Sequence, residues 1–190
     1  MSNFLSRANR RYQLKKLMAK PRRKELKRYA DIKKILLIFM LDDEASWAIV
    51  NKCVQQLELQ GRRVWVVGFV PTTYKLNCVI SRTNTYIIHE KDGIGFLGLP
   101  HEEDIALPLE NQYDMLIDAT GEPNFFAQYM ALRCDAGMRV AYVRRNAAAQ
   151  SDEVALDNTK VYDFTIQGDF AIDVRKFMDD LEKYLVMILK

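Results

Sequence analysis

Cysteine, glycine and proline are all scarce in this chain, and each scarcity excludes a class of protein. Only three of its 190 residues are cysteines, and Cys53, Cys78 and Cys134 lie far apart without a CxxC pair. That spacing argues against a disulfide framework or a zinc knuckle and favours reduced thiols. With eight glycines, five prolines and 49% apolar residues, the chain is globular and not disordered, and it is long enough for one domain with a substantial core.

Long apolar runs are also absent. The longest, from Ile35 to Leu41, has seven residues, whereas a membrane-spanning helix needs about 20. The same run is too β-branched and too central to be the apolar part of a signal peptide. Together with the reduced thiols, these absences predict a cytoplasmic protein.

Acidic residues are nearly missing from the first 34 positions. Those positions hold 13 Lys or Arg and only Glu25 and Asp31 as acids, a net charge of +11, while the remaining 156 residues carry −8. The formal charge of +3 for the whole chain therefore hides a basic segment joined to an acidic body. A concentration of like charge repels itself unless an anionic partner is near.

What is present is an alternation of strand-like and helix-like patterns. Continuous apolar runs of strand length are typical of strands buried on both faces. The predicted strands cover 34–40, 63–70, 85–89, 113–118, 138–143 and 161–166. The predicted helices cover 3–30, interrupted at Pro21, and then 44–60, 122–135 and 170–188. Neither 71–83 nor 91–112 shows a long helical period.

This alternation predicts a three-layer, Rossmann-like α/β fold with a mostly parallel sheet of about six strands. The strand order 3-2-1-4-5-6 is favoured because it places the two most apolar strands, 34–40 and 113–118, side by side. We expect a basic helical arm over 1–31, called the basic arm below, and a single domain over 32–190. The dipeptide Tyr-Asp occurs at 113–114 and again at 162–163, each time before a predicted strand core, and this Tyr-Asp echo indicates two strands that enter the sheet in the same way.

Polar residues follow several predicted strands, at the edge of the sheet where open α/β folds bind ligands. Carboxylates, hydroxyls and guanidinium groups there could hold a sugar or a phosphate. The same residue types also cap helices and form turns, so both interpretations stay open. The candidate ligand-binding residues are Asp42, Asp43, Ser46, Thr72, Thr73, Asp118, Thr120, Gly121, Arg144 and Arg145.

Two motifs suggest chemistry that their context does not support. Gly93, Gly95 and Gly98 match the GxGxxG pattern, but they follow the third predicted strand and do not open a helix, as a dinucleotide fingerprint requires. The stretch 101–104 is rich in potential metal ligands, yet adjacent residues on one loop seldom complete a metal site. We predict neither a metal nor a cofactor.

No catalytic set can be argued from the spacing either. Cys53 and Cys134 fall on apolar faces of predicted helices, which is more typical of core residues than of nucleophiles. No Cys–His or Ser–His–Asp arrangement is recognisable, so we predict no catalytic residue.

The basic arm has three possible roles. It binds the phosphates of RNA or the ribosome, lies on an anionic membrane surface, or packs against the acidic body or another subunit. Its charges are spread around the helix, so one docked face could not neutralise all of them, which favours an external polyanion. The candidate contact residues are Arg7, Arg10, Arg11, Lys15, Lys16, Arg22, Arg23, Lys24, Lys27 and Arg28.

Several short motifs along nearly the whole chain are shared with one family. They are the basic leader, Lys34-Ile-Leu-Leu-Ile38, Gly68-Phe-Val70, Lys91-Asp92, Phe96-Leu-Gly-Leu-Pro100, Tyr113-Asp-Met-Leu-Ile-Asp118 and the tail over 177–184. With these motifs the chain resembles a domain-of-unknown-function family of small bacterial proteins, found chiefly in the phylum that includes many gut anaerobes. That resemblance implies no established activity.

A second resemblance concerns part of the body. Residues 113–118, 131–137 and 139–140 resemble the N-terminal half of heptosyltransferase-like enzymes of the two-Rossmann glycosyltransferase class. Those enzymes need a second domain for the nucleotide sugar, for which this chain has no room, so the resemblance implies a shared fold and not a shared reaction.

These observations favour a non-catalytic cytoplasmic binding protein whose basic arm contacts a polyanion or a protein partner. The alternative is a small enzyme or ligand-binding protein that uses the loops after the first, fourth and fifth strands. The partner and the oligomeric state, including a homo-oligomer, stay open.

Overall fold

The structure is a computed structural model that describes residues 2–72, 82–144, 154–168, 180–184 and 186–187. The strands are β1 (Lys34–Met40), β2 (Arg63–Val70), β3 (Thr85–His89), β4 (Gln112–Gly121), β5 (Asp135–Arg144) and β6 (Phe164–Gly168). The helices are α1 (Ser2–Met18), α2 (Glu44–Leu59), α3 (Glu90–Gly93), α4 (Glu102–Leu109), α5 (Phe125–Arg133) and α6 (Asn158–Val161), with a 3-10 turn at Tyr29–Asp31. Residues 180–184 are helical too, and most of the helix predicted over 170–188 lies outside the described residues.

All six strands form one parallel sheet with the order β3-β2-β1-β4-β5-β6. The predicted order is therefore confirmed. The pairing of β1 with β4 aligns Ile35 with Met115 and Ile38 with Asp118. Both strands are buried on both faces because they lie at the centre of the sheet, which is why their sequences are continuous apolar runs.

A hydrophobic core lies on each face of the sheet, which makes the fold three-layered. On one face α2 contributes Val50 and Leu57, and Leu181 packs beside them. On the other face α5, Ile105 of α4 and Leu14 of α1 pack together. The basic arm thus contributes a fully buried leucine to the core.

Predicted and observed elements differ in several places, and the strand predicted over 138–143 already begins at Asp135, which the prediction gave to the preceding helix. The helix of the basic arm ends at Met18 and does not resume after Pro21, because residues 21–28 run along the body without helical structure. The helix predicted from 122 begins at Phe125, where Asn124 caps it by accepting a hydrogen bond from the amide of Ala127. The last strand begins at Phe164 and not at 161, since 158–161 form α6.

Within the described part of the chain, no helix combines the length and the apolar character needed to cross a membrane.

Candidate functional site

The predicted ligand-binding residues after β1 form the start of α2. Asp43 is the N-cap residue, and its carboxylate accepts a hydrogen bond of 2.6 Å from the amide of Ser46. The hydroxyl oxygen of Ser46 also lies 2.7 Å from a carboxylate oxygen of both Asp42 and Asp43. The first contact satisfies one of the unpaired amides of the first helical turn and the others hold the Ser46 hydroxyl, so the local role of the three residues is capping.

The predicted residues after β4 form a second, buried cluster. Asp118 is 2% exposed and accepts hydrogen bonds from the amide and the hydroxyl of Thr120, at 2.9 and 2.7 Å. Its other carboxylate oxygen accepts a hydrogen bond from the hydroxyl of Tyr162. Burial raises the pKa of Asp118 above its usual range, although the hydrogen bonds from Tyr162 and Thr120 oppose this effect. Asp118 is thus satisfied by its own chain.

The remaining predicted residues at this edge do not join either cluster through the described contacts. Gly121 has a φ of +83°, at the point where the β4–β5 register shifts. Thr72 donates its amide and its hydroxyl to the carboxylate of Glu90. The backbone of Arg144 pairs with Gly168, and the side chain of Arg144 lies outside the described residues, as do Thr73 and Arg145.

The second half of the basic arm is held against the amino-terminal edge of the sheet by two aspartates. Asp163 pairs with Arg22 and, at 2.9 Å, with the ammonium of Lys24. Asp114 accepts a hydrogen bond of 2.7 Å from Lys27 and also binds the amides that start β1. Between these two points the amide of Glu25 donates to the carbonyl of Gly137 at 3.0 Å.

These aspartates are the two members of the Tyr-Asp echo, and sequence reasoning did not assign them a role. Burial alone would raise the pKa of Asp163, but hydrogen bonds from Arg22, Lys24 and the amide of Arg139 outweigh it and lower the pKa. The pKa of Asp114 is likewise lowered against its burial, by Lys27 and the two amides at the start of β1. Both carboxylates are therefore ionised partners of the basic arm at neutral pH.

The inner face of α1 lies on the loop that carries the GxGxxG match. Nε of Arg10 donates to the carbonyl of Gly98 at 2.8 Å, and its guanidinium lies 5.0 Å from the centre of the Phe125 ring. The side-chain amide of Asn9 donates to the carbonyl of Leu97 at 3.0 Å. Gly93 thus ends α3, Gly95 and Gly98 follow it in the loop that contacts α1, and none of the three glycines opens a helix.

The outer face of α1 lines a cavity of about 550 Å³, which we call the α1 groove. Its rows of cations and aromatics have helical spacing, and the exposed fractions of Phe4 and Tyr12 are 76% and 61%. None of its described lining residues is acidic. They are Phe4, Arg7, Ala8, Arg11, Tyr12, Lys15 and Val154.

A second cavity, of about 490 Å³, lies between the basic arm and the ends of α5 and β5, and we call it the arm cavity. The thiol of Cys134 is at its wall, but burial raises the pKa of that thiol to about 12, so it is not a nucleophile at neutral pH. The lining residues are Leu17, Lys20, Pro21, Arg22, Arg23, Leu132, Arg133, Cys134, Asp135, Ala136 and Arg139. Across the described ranges, no three His, Cys, Asp or Glu side chains group as metal ligands would.

A parallel sheet of order 3-2-1-4-5-6 with helices on both faces defines a Rossmann-like α/β protein. The chain belongs to DUF6913, a family of unknown function whose profile matches residues 7–188. The match includes most of the basic arm. Neither the comparison with curated proteins nor the comparison with solved structures gives a match. The predicted membership of a family of unknown function is confirmed, while the bacterial source and the heptosyltransferase-like resemblance stay predictions.

Proposed function

We propose that this chain is a non-catalytic binding protein whose α1 groove binds single-stranded RNA. The observation that carries the proposal is the lining of the groove, where cations alternate with exposed aromatic rings and no described residue is acidic. Proteins that bind single strands combine these two elements, because cations follow the phosphates and aromatic rings stack on the bases.

The ion pairs in the second half of the basic arm favour α1 as the RNA-binding part, and within α1 the proposal rests on Arg11 and Lys15. Five of the ten candidate contact residues form ion pairs with acids of the chain itself: Arg22, Arg23, Lys24, Lys27 and Arg28. Arg10 is docked on Gly98. Arg7, Arg11 and Lys15 are exposed at four-residue intervals, which places them in one row along the helix, with Lys16 beside them.

The shape of the groove favours a single strand over a membrane surface. A helix that lies on a bilayer inserts one apolar face into the lipid. In α1 the buried side chain, Leu14, belongs to the core, and the outer aromatic residues share their face with cations. A concave, basic and aromatic groove fits an extended chain with unstacked bases, and a duplex would hide those bases.

Fluorescence polarisation with a labelled oligouridylate tests the proposal. We expect the Arg11→Glu, Lys15→Glu variant to bind at least about 10-fold more weakly than wild type, with a shallower salt dependence because fewer counterions are released. Tyr12→Ala should weaken binding by about 1–3 kcal/mol through lost stacking. The matched control is Lys52→Glu, Lys91→Glu, which makes the same charge change at exposed lysines outside the groove.

Point variants are needed because a truncation at Asp31 would remove the buried Leu14 and the Glu25–Gly137 hydrogen bond. Equal weakening by the groove variant and the control would contradict the proposal, since binding would then follow net charge alone. Binding to anionic phosphatidylserine vesicles without binding to the oligouridylate would contradict RNA binding and would identify a membrane surface as the partner of the α1 groove.

A further inference from the structure

The arm cavity concentrates positive charge between two segments of the chain. Five of its lining residues are cations, namely Lys20, Arg22, Arg23, Arg133 and Arg139, and one is an acid, Asp135. It is separate from the α1 groove, and the two cavities share no lining residue. A ligand of the arm cavity would therefore bind independently of RNA in the α1 groove.

Two of the five cations are occupied by partners of their own. Arg23 donates to the carboxylates of Asp135 and Glu25 and to the carbonyl of Tyr113. Arg133 donates from both terminal nitrogens to the carboxylate of Glu102. Neither guanidinium needs a ligand, which leaves Lys20, Arg139 and one terminal nitrogen of Arg22, whose other terminal nitrogen pairs with Asp163.

Arg139 and Arg22 keep buried donors without acceptors. Arg139 is 3% exposed, and its Nη2 makes a long hydrogen bond of 3.3 Å to the carbonyl of Cys134. Its Nε, and Nη1 of Arg22, are buried and have no hydrogen-bond partner among the described residues. The carboxylate of Asp163, which accepts a hydrogen bond from the amide of Arg139, is already shared by Arg22 and Lys24. An unpaired buried donor costs free energy, and the cost is larger when it carries charge.

The two guanidinium groups also oppose each other. Burial, and then repulsion from Arg22, lower the pKa of Arg139 to about 10, so the group is still cationic at neutral pH. An anion bound in the cavity beside these two guanidinium groups would offset this repulsion. Arginine pairs fit the tetrahedral oxygens of phosphate, which accept several hydrogen bonds at once.

We propose that the arm cavity binds the phosphate group of a small phosphorylated molecule, with Arg139 and Arg22 as donors and Lys20 at the exposed side. The volume of about 490 Å³ is in the range of small-molecule sites. The apolar side chains of Leu17 and Leu132 line the same cavity and contact the uncharged part of the ligand.

Thermal unfolding of the full chain with inorganic phosphate tests the proposal. We expect the Tm of wild type to rise saturably with phosphate, and potassium chloride of the same ionic strength or potassium acetate to give no comparable rise. Arg139→Met should be at least as stable as wild type without phosphate, because it removes an unsatisfied buried charge, and should lose the phosphate response. Lys20→Gln should weaken phosphate binding several-fold, while Arg11→Glu, Lys15→Glu should bind phosphate as wild type does.

A phosphate response that persists unchanged in Arg139→Met, or that chloride or acetate reproduces, would overturn the proposal. If Arg139→Met does not fold, the phosphate affinity of Lys20→Gln tests the proposal in its place. Lys20 is exposed, so this variant is expected to fold, and an unaltered phosphate affinity in it would equally overturn the assignment. A phosphate response that disappears in the α1 groove variant would place the ion in that groove and also contradict it.

Discussion

The hydroxyl of Tyr162 donates a hydrogen bond to the carboxylate of Asp118, and both side chains are buried. The bond joins the carboxyl-terminal part of β4 to the segment before β6, 44 residues further along the chain. In many open α/β sheets the ends of the central strands face a ligand. Here the carboxylate of Asp118 is instead bonded to a tyrosine of the chain itself, within the core on one face of the sheet.

The first prediction concerns Asp118 and pH. Burial raises the pKa of Asp118 in the folded state, so the folded protein holds this proton more tightly than the unfolded one. Its contribution to the free energy of unfolding therefore falls as pH rises from the unfolded pKa of about 4 through the folded pKa. Asp118→Asn cannot ionise, and we expect it to lack this fall in urea denaturation across that range.

Asp118→Asn removes the fall in the free energy of unfolding with rising pH, whereas Tyr162→Phe should make that fall larger. It removes a donor to the carboxylate, which raises the pKa of Asp118 further and lowers stability at neutral pH by about 1–3 kcal/mol. Asp92→Asn, at an exposed aspartate, is the control and should follow wild type. Parallel pH profiles for wild type and Asp118→Asn would contradict the assignment.

The second prediction concerns the attachment of the basic arm. The lowered pKa of Asp163 means that its contribution to stability is present above the unfolded pKa of about 4 and is lost as pH falls through the folded pKa. Asp163→Asn should lower the free energy of unfolding by about 1–3 kcal/mol at neutral pH, because Arg22 and Lys24 lose a charged partner. Limited proteolysis with trypsin should then cut within residues 20–28 faster than in wild type. Unchanged cutting rates would show that Asp163 does not hold the arm.

The third prediction separates two glycines of the GxGxxG match. Gly98 has a φ of +75°, and a Cβ there would lie 2.7 Å from Nε of Arg10 and would overlap the hydroxyl of Ser6. At Gly95 the nearest atom, Cε1 of His101, would be 3.5 Å away, an ordinary contact. Gly98→Ala should therefore destabilise the fold by about 1–3 kcal/mol and Gly95→Ala by about 1 kcal/mol at most.

Thermal unfolding of both glycine variants, with and without NAD, checks this prediction. Ser6→Ala combined with Gly98→Ala should recover part of the loss, because it removes the overlapping hydroxyl. Stabilisation of wild type by NAD that Gly95→Ala abolishes would instead show that the loop binds a dinucleotide.

The fourth prediction concerns the thiols. Burial raises the pKa of both Cys53 and Cys134 to about 12, and their exposed fractions are 1% and 3%. Because the thiolate is the reactive form, iodoacetamide should modify both slowly at neutral pH in the folded protein and readily in urea. Mass spectrometry of the peptides reports each site separately. Rapid modification of Cys134 in the folded protein would show that the arm cavity exposes a reactive thiol.

The fold was predictable because its signals are local. The apolar runs at β1 and β4 and the helix cap at Asp43 are read from neighbouring residues, and the alternation of such elements predicts a parallel sheet with β1 and β4 at its centre. The path of residues 21–28 depends on distant carboxylates. Arg22 and Asp163 are 141 residues apart in sequence, so no window around Pro21 contains the reason for that path.

The candidate sites also depend on partners that are distant in sequence. Asp118 has the sequence signature of a ligand-binding residue, and only the position of Tyr162 in space shows that it is already bonded. Two features of the sequence bear on the attachment of the arm: the repeated Tyr-Asp pair, and Arg139 inside the apolar strand β5. A single charge in a buried strand needs a partner, which makes such a position worth examining from sequence alone.

The long separation between the basic arm and its carboxylates has a consequence for biosynthesis. A chain is made from its amino terminus, so the positively charged arm leaves the ribosome well before Asp114 and Asp163 exist to receive it. The sheet also cannot close at β6 until the chain is nearly complete. Until those carboxylates are made, the cations of the arm lack their native partners, and docking of the arm onto the body competes with any polyanion nearby.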